Sequence, residues 1–237
     1  MHFPSHKLLL VKSILFVLLF VSFGCQKSEE LSTYDILLPQ QLKDVFLFQS
    51  GTYWIMEQNN GGNVLYDSIY VTETLHDSVD IINPGTQQAY AKKEVFNVRC
   101  TSTYYKREFS YVSQSADLCN NLSFREPCHF VAMELYKNDV VTASSRIYYY
   151  PDQVDAGWST HIGSSDNTLV KIDAIFDNYL IGDKTYAQVR QVLTEKDRTS
   201  QGKNSIRYFA PGYGLIAYSV PELKTDWKLV RSKIVRD

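Results

Sequence analysis

From Tyr53 onward the chain alternates apolar and polar residues in short runs, and each run stops at a cluster of turn-forming residues. A period of two places successive side chains on opposite faces of a strand, so the pattern suits half-buried sheet rather than helix. "TYWIME" runs into Asn59-Asn60-Gly61-Gly62 and "NVLYDSIYVTET" follows, which predicts a hairpin. In the second run Leu65, Ile69 and Val71 fall on one face, and Asp67 interrupts that face. "DSVDII" ends at Asn83-Pro84-Gly85. "YAKKEVFNVRCTS", "REFSYVS", "HFVAMELYK" and "VVTASSRIYYY" supply the middle strands, the last stopped by Pro151. "TLVKIDAIF" resumes the pattern, Ala187, Val189 and Leu193 share a face in "DKTYAQVRQVLTEKD", and "SIRYFA", "YGLIAYSV" and "DWKLVRSKIV" close it. Roughly a dozen strands with short connections predict an all-β fold, an antiparallel sandwich, half-barrel or barrel. The stretch "ILLPQQLKDVFLF" ahead of them fits a short helix or an extended lead-in.

Two glycines carry conformational meaning. Gly212 follows Pro211, which suits the positive-φ position of a type II turn. Gly214 suits a bulge or a close backbone approach. A glycine-rich anion loop would need a helix behind it, and a strand follows instead.

Composition excludes some function classes. The 24 lysines and arginines against 26 acids form no basic block, so nucleic-acid binding has no electrostatic footprint. His76, His129 and His161 stand in no zinc-type spacing, and Cys128 and His129, adjacent on a strand, point to opposite faces. No metal or cofactor is predicted. No G-x-S-x-G elbow occurs. Ser200-Gln201-Gly202-Lys203 matches S-x-x-K, but in a polar turn between strands rather than on the helix that chemistry needs. Asp152 with Asp155, Asp166 with Asp173, and Asp177 with Asp183 read as solvated loop charges. No catalytic residue is assigned, and a hydrolase with a loop-assembled carboxylate site stands as an alternative.

The segment 152–167, rich in Gly, Ser and Asp, is the longest irregular stretch and the best place for a loop-borne function. Tyr149 and Tyr150, with Trp158 in that loop, are the candidate ligand-binding residues, a platform on which a sugar would stack. The competing reading has alternate tyrosines lining a core or a sheet surface. Cys119 and Cys128 flank a polar loop and are the favoured disulfide, whereas Cys100 alternates with Phe96 and Val98 and should point into the core.

The amino end is of another kind. Lys7 and Lys12 precede an apolar run from Ile14 to Val21, about half the length a spanning helix needs, which fits a secretory signal peptide. Ser22-Phe23-Gly24-Cys25 resembles the lipobox of bacterial lipoproteins, in which the cysteine is acylated and the preceding signal removed. That resemblance implies a signal peptide over 1–24, a tether over 25–35 lipidated at Cys25, and one all-β domain over 36–237. Two or more acyl chains hold a protein stably on a bilayer where one does not. Residues 1–24 carry two of the lysines and none of the acids, so cleavage leaves a net charge of −4. Glu29 and Glu30 after the cysteine resemble the export signal of surface lipoproteins in Bacteroidota, which favours the outer membrane's outer face over its periplasmic one. Asp67-Ser68-Ile69 and Asp77-Ser78-Val79 resemble the three-residue O-glycosylation signal of that phylum.

Two further stretches extend the resemblance. Gly182-Asp183-Lys184-Thr185-Tyr186-Ala187-Gln188-Val189 and Tyr208-Phe209-Ala210-Pro211-Gly212-Tyr213-Gly214-Leu215-Ile216 look like a recurrent pair in uncharacterised Bacteroidota outer-membrane and surface lipoproteins. Membership would imply an envelope location and a β fold, with no catalytic residues to carry over. The resulting expectation is a lipid-anchored, non-enzymatic binding or structural module whose partners are the membrane and a glycan or envelope protein. A glycan- or lipid-binding carrier is the alternative within the binding class.

Overall fold

The first hairpin is built as its turn residues dictate. Strand β1 (Tyr53–Asn60) pairs antiparallel with β2 (Asn63–Ile82), Asn60 opposite Asn63, and the two residues between them, Gly61 and Gly62, both have positive φ (61° and 97°). That is the turn whose twist matches flanking strands. The molecule is known from a computed structural model that describes residues 36–116, 128–150, 154, 157–160 and 168–236, with backbone alone at 115, 116, 128, 157–160 and 168. Residues Tyr34–Asp237 make one compact unit.

Ten further strands follow: β3 (Ala89–Ser102), β4 (Arg107–Ala116), β5 (Cys128–Lys137), β6 (Val140–Tyr150), β7 (Gly157–Thr160), β8 (Thr168–Ile181), β9 (Lys184–Asp197), β10 (Lys203–Ala210), β11 (Gly214–Val220) and β12 (Thr225–Lys233). All belong to one antiparallel sheet in the order β6-β5-β4-β3-β2-β1-β12-β11-β10-β9-β8-β7. Each strand neighbours the next in sequence except β6 and β7, and one pairing is not sequential. β1 pairs with β12, Tyr53 opposite Lys233. At the break β6 packs against β8 and β9 without a ladder, so the sheet curls into a nearly closed barrel with one unpaired seam.

The lumen is apolar. Alternate residues along the strands, such as Trp54 and Met56, Ile69 and Val71, Val98 and Cys100, Phe109 and Tyr111, and Trp227 and Leu229, are buried inside. Outward positions of β12 carry Asp226, Lys228 and Arg231. Bulges adjust the phase. In β12 both Val230 and Arg231 face outward where the register with β1 shifts, and in β2 the shift at Thr72 turns Thr74 toward the side of Val98. Beyond that bulge β2 and β3 run on as an arm whose tip, 75–90, is exposed but for Ile81. The runs "NVLYDSIYVTET" and "DSVDII" are thus one strand of 20 residues.

One end of the barrel is plugged. Helix α1 (Gln40–Phe46) sends Leu42, Val45 and Phe46 inward at the i, i+3, i+4 spacing of one helical face. Phe46 packs edge-on to Tyr111 and Tyr148 and lies 4.9 Å from the Phe209 ring. The lead-in is therefore both of the things its sequence allowed. Ile36 is extended and bridges Lys93 in β3, and a helix follows. Glu94 fixes this junction, accepting hydrogen bonds from the Leu38 amide, Lys43 Nζ and His76 Nε2 at 2.7, 3.1 and 2.7 Å. At the helix's C-terminal end the Gly212 amide donates to the Asp44 carbonyl, and Arg236 donates to the carbonyls of Lys43, Asp44 and Leu47.

The proposed face in β9 needs correction. Val189 is buried, but Ala187 is exposed and Leu193 half-buried. Gln188 has φ +52°, which breaks the alternation, so Val189 and Arg190 both turn inward and Val192 and Thr194 continue the buried face.

Candidate functional site

Two polar clusters interrupt the apolar lumen. The first lies where the chain turns from β9 to β10 and faces the seam. Asp197 ends β9, a single 3-10 turn covers Arg198–Ser200, and Gln201 and Gly202 take positive φ to bring the chain back. This fold-back brings three hydroxyls onto one carboxylate. Asp197 Oδ1 accepts from the Thr199 amide and hydroxyl at 2.9 and 2.7 Å, and Oδ2 accepts from Ser200 Oγ, Ser205 Oγ and Arg207 Nη2 at 2.7, 2.6 and 2.6 Å. Arg207 also donates to Ser205 and Thr199, and its guanidinium lies 5.1 Å from the Tyr218 ring centre. Both charges are buried. Burial alone would push the Asp197 carboxyl up, but Arg207 and the three hydroxyls outweigh it and hold the group well below the usual carboxylate range. Burial would likewise lower Arg207, and Asp197 more than offsets it. The Arg198 amide donates to Ser145 Oγ in β6 at 2.9 Å, so the turn ties the two sides of the seam together.

The second cluster forms the mouth, at the opposite end of the lumen from α1. Asp67 is buried and faces inward between Leu65 and Ile69 in β2. Its carboxylate accepts from Ser102 Oγ at 2.8 and 2.9 Å and from the Tyr104 amide at 3.0 Å. Ser102 ends β3 opposite Arg107, which begins β4. The turn between them carries Tyr104 and Tyr105, whose rings meet Trp227 at 5.0 and 6.3 Å. Trp227 Nε1 donates to the Tyr105 hydroxyl at 3.1 Å, and the Arg107 guanidinium sits 4.4 Å over the Tyr105 ring. Asp67, Arg107, Arg207, Tyr105, Tyr218 and Trp227 surround a cleft of about 40 Å³ whose inner wall is apolar. A second void of about 10 Å³ lies under α1. An open, shallow groove of about 460 Å³ runs outside, between the start of β6 and the 198–202 turn, and carries no aromatic ring.

The residues chosen from sequence are placed differently from one another. Tyr149 is buried, its hydroxyl accepting from Arg146 Nη1 at 2.8 Å and its ring 5.7 Å from Phe130, so it offers no open face for stacking. Tyr150 is half-buried beside His129. Trp158 lies on β7 with its side chain outside the described residues, as are Cys25, Cys119, the Cys128 side chain, and Asp152, Asp155, His161 and Asp166. Cys100 is buried and unpaired, and burial pushes its thiol far up, which keeps it inert. Ser200 is bonded to Asp197 and to the Tyr218 hydroxyl, while Lys203 is exposed. Asp173 meets Lys171 and Gln191, and Asp177 meets Gln188. Asp67-Ser68-Ile69 lies in the sheet with Asp67 engaged, whereas Asp77-Ser78-Val79 is exposed on the arm. Among the described residues, no three His, Cys, Asp or Glu side chains converge to hold a metal.

The mouth was missed as a site, although one signal was present. Asp67 breaks an otherwise apolar face, and a carboxylate at a core-facing position needs a reason. No helix among the described residues is long and apolar enough to cross a membrane, a statement that does not touch strands. Comparison with models of protein families, with curated proteins and with solved structures returns no match.

Proposed function

We propose that this chain is a lipid-anchored cell-envelope protein, related to the Bacteroidota surface lipoproteins it resembles, whose β domain works by recognition rather than by chemistry. The observation that carries the recognition half is the small size of the cleft at the mouth. A carrier encloses several hundred Å³ around its cargo, and here the cleft at the mouth amounts to about 40 Å³. This favours contact at the mouth and outer surface over carriage of a lipid or glycan inside. Asp197, held as an anion by Arg207 and three hydroxyls, is poorly suited to passing protons, which weighs against the hydrolase alternative. The anchor half rests on Ser22-Phe23-Gly24-Cys25 and the polar tether that follows it.

The anchor is tested by growing cells that express the full chain with an alkyne-tagged fatty acid. The native chain should carry the label and sediment with the outer membrane. Cys25→Ala should carry none and leave the membrane fraction. A native chain that is unlabelled, or that retains residues 1–24 by intact mass, overturns the assignment.

A further inference from the structure

Three charged side chains, Asp67, Arg107 and Arg207, line the mouth cleft, and they do not pair with one another. Asp197 and Arg207 neutralise one another. Asp67 and Arg107 remain. Asp67 is buried with neutral donors only, the Ser102 hydroxyl and the Tyr104 amide, and it forms no ion pair among the described residues. Its Oδ2 accepts from Ser102 alone and has room for another donor. Arg107 forms no ion pair among the described residues either. Its Nε is buried without a hydrogen-bond partner and its plane rests on Tyr105. Ser102 stands between them, bonded to one and cross-strand from the other. A buried anion and a cation that line one cleft without meeting are each under-satisfied, and such groups are costly unless something completes them.

We infer that the mouth binds a small zwitterion of the free amino-acid type, its ammonium on Asp67, its carboxylate on Arg107 and its side chain against Met56, Ile69 and Leu215. A simple anion would satisfy Arg107 and be repelled by Asp67, and a simple cation the reverse. A molecule carrying both charges completes both groups and adds no net charge to a desolvated site. As the cleft stands, about 40 Å³ holds a few waters. Tyr105 is the wall that must move. It stands on the four-residue turn 103–106, is 37% exposed, and its hydroxyl is held by Trp227 Nε1. Swinging that ring outward widens the cleft and leaves the strands untouched. The inference rests on reading the domain as a recognition module, and Cys25 plays no part in it.

Isothermal titration of the full chain in detergent provides the test, with L-leucine, isocaproate (no ammonium) and isoamylamine (no carboxylate) as probes. Leucine should bind saturably, and each analogue should bind at least about tenfold more weakly, the span of one charge-assisted hydrogen bond. Arg107→Gln should weaken leucine about tenfold and tighten isoamylamine, which no longer meets a like charge. Asp67→Asn should weaken leucine and tighten isocaproate, which no longer meets a like charge. Thermal melts establish that each variant is folded. If Asp67→Asn is not, the half-buried Arg107 and the two analogues still decide. No saturable heat with leucine, alanine or phenylalanine up to about 10 mM overturns the inference, since weaker binding is no site at all. So does an analogue that binds as tightly as leucine, or an Arg107→Gln variant that binds it equally well. None of these results bears on the acyl label at Cys25, so the two readings fail separately.

Discussion

Asp197 accepts five hydrogen bonds, and its stability effects follow from that count. Asp197→Asn would leave the buried guanidinium of Arg207 facing a neutral amide. Breaking a buried pair on one side costs about 3–5 kcal/mol, and urea denaturation should report a loss of that order. Acid should do the same in stages. Burial holds the folded His129 below its ordinary 6.5, so the stability tied to its neutral form is complete above that value and drains as pH falls beneath it. Asp197 is held below its ordinary 3.8, so its contribution is complete above about pH 4 and is lost in stronger acid. Glu94 is also lowered, because bonds from His76, Leu38 and Lys43 outweigh its desolvation, and it adds to that second decline. The thermal midpoint should therefore fall first below about pH 6.5 and more steeply below about pH 4, and His129→Phe should remove the first fall only. At this scale the sequence was partly legible. Asp67 announced itself by interrupting an apolar face. Its partners Ser102 and Tyr104 lie 35 and 37 positions away, and Arg107 further still. Strand alternation says which face a residue takes but not which residue it will stand beside.

Among the elements, the Pro211-Gly212 turn did as its residues predicted, and Gly214 did more. Gly212 has φ +80° with nothing within 4 Å of where a Cβ would sit, whereas Gly214 has φ +76° and the Phe48 ring 2.8 Å away. Gly212→Ala should cost about 1–3 kcal/mol through the backbone alone. Gly214→Ala should cost clearly more, because the clash reaches the segment that holds the plug, and melting curves of the two variants check the order. The 20-residue length of β2 was hidden because the bulge at Thr72 shifts its phase, so neither half shows the period of the other. Gln188 misled in the same way, since a positive φ inside a strand turns two neighbours to one side and leaves no compositional mark. The lead-in could not be resolved from sequence because seven residues of helix are marginal by themselves. The barrel's open end decides the matter, by offering Leu42, Val45 and Phe46 somewhere to go.

At the scale of the whole molecule, sandwich, half-barrel and barrel were equally open, because closure depends on register and bulges rather than on alternation. What selects the barrel is the β1–β12 ladder on one side and the Asp197 turn across the seam on the other. A chain ending after Leu223 lacks β12, and with it Trp227 and Leu229 from the core. It should lose the cooperative unfolding transition in urea rather than shift it, and near-ultraviolet circular dichroism should show the loss of fixed aromatic packing. The same ladder has a temporal side. Since β1 waits for β12, the barrel cannot be finished until β12 has left the ribosome. The cell that makes this protein has to keep the sticky, half-paired sheet between Tyr53 and Thr225 from finding other company until β12 arrives.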